Sequence, residues 1–85
     1  VWHLPLPPEY RKQLDSQTAD LRNIGSGRFG GTLVAGLFLQ EFVGDSSWVH
    51  LDIAGPVTID DTEGEFPKGA TGFGVRTLLE LATGW

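Results

Sequence analysis

At 85 residues the chain is one small domain or a piece of a larger one, because a polypeptide this short withdraws only about 60–65% of its unfolded surface from water and builds a single core at most. Eleven acidic against six basic residues give a net charge of −5, and the basic residues Arg11, Lys12, Arg22, Arg28, Lys68 and Arg76 are scattered, which argues against nucleic acid as a partner. The absence of cysteine removes disulfides, thiolate metal sites and thiol nucleophiles together and is compatible with a reducing cytoplasm, while no apolar run approaches the ~20 residues of a bilayer span.

The N-terminal VWHLPLPPEY has neither the basic start nor the apolar centre of a signal peptide, so a soluble protein without membrane contact is expected. Opening on Val1-Trp2 without a methionine, the chain reads as a cut from a longer protein. Residues 1 to 6 are short, apolar and β-compatible. Pro7-Pro8 then permits a helix from about Pro8 to Leu14, with Glu9 at the positive end of its dipole and Tyr10 and Leu14 one turn apart. Asp15-Ser16-Gln17 is turn chemistry, and the alternation over Thr18 to Ile24 suggests a strand, though a polar one.

From Gly30 or Gly31 to Val43, Leu33, Val34, Leu37, Phe38, Leu39 and Phe42 cover most of a helix circumference, which predicts a buried helix. Its apolar surface exceeds what 85 residues can cover, so contact with absent residues or another subunit is expected. After a turn at Gly44 to Ser47, Trp48 to Ala54 alternates as the best strand in the sequence. Residues 55 to 69 form a long loop, acidic at Asp60, Asp61, Glu63 and Glu65. Thr71 caps a last helix over about Gly72 to Ala82 with the stripe Val75, Leu78, Leu79 and Ala82. The order is α/β, with two main helices on two or three strands of a mixed sheet.

Gly25-Ser26-Gly27-Arg28-Phe29-Gly30 has the G-x-G-x-x-G spacing of a dinucleotide loop, and Asp52 stands about 20 residues further on, where such sites place a ribose-binding carboxylate. The preceding strand argues against that use, because Asp20, Arg22 and Asn23 would be buried in the middle of a parallel sheet. Close packing of the following helix accounts for the same glycines. His3 and His50 have no acidic partner at ligand spacing and read as structural residues. The acidic loop lacks calcium-loop spacing and reads as a solvated surface, and Ser16, Ser26, Ser46 and Ser47 lack a nucleophile context. Asp52 is either a catalytic or ribose-binding acid or, the favoured reading, a buried anchor that accepts backbone N–H groups of the loop after it.

Several segments together carry a resemblance: Trp2-x-Leu4-Pro5-Leu6, Ala19-Asp20-x-x-Asn23-x-Gly25, Gly30-Gly31 with Ala35-x-x-Phe38-Leu39, Trp48-x-His50-Leu51-Asp52-Ile53-Ala54-Gly55, and Pro67-Lys68-Gly69-Ala70-Thr71-Gly72. Over nearly the whole chain they closely resemble the C-terminal end of the leucyl, or cytosol, aminopeptidases. The resemblance implies a single partial domain over residues 1–85, taken from the catalytic domain of a hexameric peptidase that removes N-terminal residues from peptides with two divalent ions, zinc or manganese. It implies no cofactor, metal ligand or catalytic residue within this chain, because the family's metal-binding and catalytic segment, with its N-T-D-A-E-G-R sequence, lies upstream. Ala54 and Val57 match the wall of the family's pocket for the substrate's first side chain. A noncatalytic α/β binding or assembly module related to the family is the alternative; half of a dinucleotide-binding domain is a weaker third reading.

Overall fold

A computed structural model describes all residues, Val1 to Trp85, which divide into two compact units, Val1–His50 and Leu51–Trp85. In the first unit a 3-10 helix, Pro8–Leu14, follows Pro7, whose fixed φ and carbonyl start the turn by accepting the Tyr10 N–H at 3.0 Å. The predicted helix is thus present with the tighter winding common in short helical pieces. Its last residue, Leu14, is completely buried, and the Leu14 carbonyl accepts the Arg22 N–H at 2.8 Å.

Helix α1, Gly31–Gln40, starts from Gly30 in the left-handed conformation, φ 72°, a backbone state that a side chain at this position would oppose. Val34 and Leu37 on its buried face join Leu14 to make the core, with Leu6, Leu21 and Phe38 partly buried against it. At Gly36 a Cβ would stand 2.7 Å from Leu6 Cδ2, so any larger residue there requires the Leu6 side chain to move. The chain leaves the helix at Glu41 through three-residue backbone turns that run to Ser46, and Phe38 and Phe42 stack edge to face with centroids 5.2 Å apart. Burial covers one face only: Leu39 is 42% and Phe42 69% exposed, against the expectation of a helix enclosed all round. Arg11 ties the two helices together through Glu41, and also bonds Asp15 at 2.9 Å one turn along its own helix.

Residues 18–24 run through bends instead of the expected strand, and 48–54 form no strand either. Both segments have the alternation, but a strand exists only as a paired ladder, and neither finds a partner among these residues. The second unit instead contains an antiparallel pair inside and just after the expected loop: β1, Thr58–Ile59, against β2, Gly69–Ala70, with Thr58 opposite Ala70 and Ile59 opposite Gly69. Glu63 and Phe66 exchange backbone hydrogen bonds of 3.0 Å at the tip of the connection. The last helix, α2, spans Val75–Gly84, a few residues later than expected, because Gly72 and Gly74 both take positive φ and the turn they form delays its start. Thr71 is not its cap; Gly74 is. The stripe Val75, Leu78, Leu79 and Ala82 lies on α2, and none of it is buried.

The mixed helix-and-strand class holds for these residues, but the one helix pair that packs is α1 on the 3-10 helix, and the sheet has two short strands. Leu14→Ala is expected to cost about 2–4 kcal/mol in urea unfolding, since it empties the one fully buried site. The 85-residue chain in isolation is expected to self-associate in sedimentation velocity, because Leu78, Leu79 and Trp85 leave large apolar areas in water; a compact monomer would contradict this.

Candidate functional site

The glycine loop is knit to the 3-10 helix. The Ser26 N–H donates to the Gln13 carbonyl at 3.0 Å, and the Gly27 N–H donates to Gln13 Oε1 at 3.1 Å. A Cβ at Gly25 would stand 2.7 Å from Val34 Cγ1. These glycines therefore serve close approach, and two of the amides that a pyrophosphate would use are already taken by Gln13. No strand precedes the loop, so the dinucleotide reading loses its second structural requirement as well.

The histidines and acids remain dispersed, and no group of three or more His, Cys, Asp or Glu comes together where it could hold a metal ion. The donor set for the metal pair implied by the family resemblance is therefore not formed by these residues. His50 is half-buried, its ring stacked beside Trp48 at 6.3 Å between centroids; His3 is exposed. In the acidic segment Glu65 forms a forked pair with Arg76 of α2, 3.0 and 3.3 Å, and the hydrogen bond and charge of Arg76 hold the Glu65 carboxyl below the usual carboxylate range.

The two expected pocket residues are brought together. Ala54 and Val57 are the first and last residues of one turn, 54–57, closed by the Val57 N–H donating to the Ile53 carbonyl at 3.1 Å. Asp52 holds its entry: Oδ1 accepts the Ala54 N–H at 3.0 Å, an Asx turn of the kind expected of an aspartate two residues before a bend. The anchoring role is as expected, but Asp52 is exposed and not buried, because the Ala54 N–H that donates to it lies in an open turn. Thr71 holds the exit. Its N–H donates to the Val57 carbonyl at 2.9 Å, and its hydroxyl donates to the Pro56 carbonyl at 2.6 Å while accepting the Phe73 N–H at 3.2 Å. Ala54 is exposed and Val57 half-buried, so the turn presents a small side chain outward on a fixed backbone. Sequence reasoning gave Thr71 to the helix and missed this role, which depends on pairing across 15 residues of chain.

Residues 1–79 match the catalytic-domain model of the cytosol aminopeptidase family, and the chain belongs to that family. It is 57% identical over 83 residues to a probable cytosol aminopeptidase of Streptomyces griseus, covering 95% of this chain and 16% of that protein. Similar proteins of the same description come from Alkaliphilus metalliredigens, 51% identical over 82 residues, 96% of this chain and 16% of the relative, and Solibacter usitatus, 47% identical over all 85 residues and 18% of the relative. The chain thus spans about a sixth of the length of the curated relatives it matches. No helix in it is long and apolar enough to cross a membrane.

The Glu65 shift has a definite sign. A carboxyl whose native pKa lies below its unfolded value adds stability above the unfolded pKa and loses it as the pH falls through the native one. Carboxyl NMR titration is expected to show Arg76→Gln returning Glu65 to the ordinary range, with the pH dependence of stability in that acid window flattened.

Proposed function

We propose that this chain is the C-terminal part of the catalytic domain of a leucyl aminopeptidase, an enzyme that hydrolyses N-terminal residues from peptides. In this reading residues 1–85 are a single partial domain, and the N-terminal domain and the metal-binding part belong to the remainder of the parent. The parent works in the cytoplasm as a homo-oligomer, a hexamer, with two divalent ions, zinc or manganese, held by residues outside this chain. No catalytic step is assigned to the residues here. Their contribution is packing and one wall of the pocket for the substrate's first side chain, formed by Ala54 and Val57.

The observation that carries this reading is the clamped turn within a chain that belongs to the cytosol aminopeptidase family. A pocket for an aliphatic side chain needs a small residue whose backbone does not move, because selectivity between side chains a few methylenes apart rests on about 1–3 kcal/mol of fit. Ala54 is small, exposed and held by Asp52 at its own N–H. A bulkier group there would occupy the volume leucine needs. In the full-length protein Ala54→Leu is expected to lower kcat/KM for a leucyl substrate by about 10- to 100-fold and to spare an alanyl substrate by comparison. Steady-state kinetics on the two substrates checks this, and an unchanged leucyl-to-alanyl ratio would sink the pocket assignment.

A further inference from the structure

The turn that carries Ala54 and Val57 is pinned to the rest of its unit chiefly by one side chain. Thr71 follows β2 directly and extends the ladder by one residue, its N–H meeting the Val57 carbonyl at 2.9 Å. The hydroxyl then reaches the next carbonyl back, that of Pro56, at 2.6 Å. Because Oγ1 also accepts the Phe73 N–H at 3.2 Å, its own hydrogen is directed to Pro56, and each bond polarises the other. Consecutive carbonyls, 56 and 57, are therefore both held by Thr71, on the side of the turn opposite the Asp52 anchor. The Pro56 ring fixes one further backbone angle inside the turn. Thr71 is half-buried, so water replaces a lost hydroxyl only in part.

We propose that Thr71 is the positioning residue of the side-chain pocket: its hydroxyl sets how far the 54–57 turn stands into the space taken by the substrate's first side chain, and so tunes the preference among aliphatic residues. This rests on the reading of Ala54 and Val57 as the pocket wall. Thr71 touches no substrate; it acts through the Pro56 and Val57 carbonyls. A shift of the wall by a fraction of an ångström changes fit for a branched side chain far more than for a methyl group.

The test uses the full-length protein and compares kcat/KM for leucyl and alanyl anilides. Thr71→Val keeps the shape and removes both hydroxyl bonds; it is expected to change the leucyl-to-alanyl ratio by at least about fivefold, mainly through KM for the leucyl substrate. Thr71→Ser keeps the hydroxyl and is expected to stay within about twofold of the parent. A ratio unmoved in Thr71→Val, or moved equally by both variants, overturns the proposal. Ala54→Leu separates the two layers: if it alters the ratio and Thr71→Val does not, the positioning role fails while the pocket stands; if it does not, the pocket reading itself fails and the proposal falls with it. Should Thr71→Val fold poorly, amide exchange in the unaltered protein decides. The Phe73 and Thr71 N–H groups are expected to exchange at least about tenfold more slowly than in an unstructured peptide, and exchange at the free rate would remove the clamp.

Discussion

Leu14, Val34 and Leu37 are the large side chains fully withdrawn from water, with Leu6, Leu21 and Phe38 partly buried against them, so hydrophobic burial is concentrated in one place, where α1 packs on the 3-10 helix, and much of the remaining chain is held by hydrogen bonds. This scarcity explains why polar side chains carry so much of the architecture. Gln13 holds the glycine loop, Arg11 spans to Glu41, Arg76 grips Glu65, and Thr71 fixes the turn. The charged pairs lie in solvent, where such pairs contribute little, so Gln13 and Thr71, bonded to backbone, matter more for local geometry.

The same scarcity shapes the exposed surface. Helix α2 has a strong apolar stripe and no buried residue, and α1 leaves Leu39 exposed, as the turn after it leaves Phe42. A helix of ten residues has little stability without packing, so α2 is held weakly wherever its apolar face meets water.

Much of the helical content was legible. Pro7-Pro8, the glycine pair before Thr32 and the stripe from Val75 each act over one or two turns, and the helices lie close to where those signals put them. The strands were not legible. Trp48 to Ala54 alternates well and stays unpaired, whereas Thr58–Ile59 and Gly69–Ala70, too short to show any alternation, pair as Thr58 with Ala70 and Ile59 with Gly69. Alternation reports which side chains a strand would bury and says nothing about whether a neighbour is present. The G-x-G-x-x-G spacing misleads for a related reason, since spacing does not say which acceptor has already taken the amides, and here Gln13 has.

The amino-acid sequence settled the family, the helical segments and the absence of cysteine chemistry, because each depends on residue identity or on patterns within a few turns. The placement of Ala54 and Val57 on one turn, the exposed Asp52 at its entry and the Thr71 clamp at its exit were decided only by the tertiary structure. The reason is physical: nothing in the residues next to Thr71 says which carbonyl its hydroxyl hydrogen will meet, and the pairing of β1 with β2 brings that of Pro56, 15 residues back, within 2.6 Å.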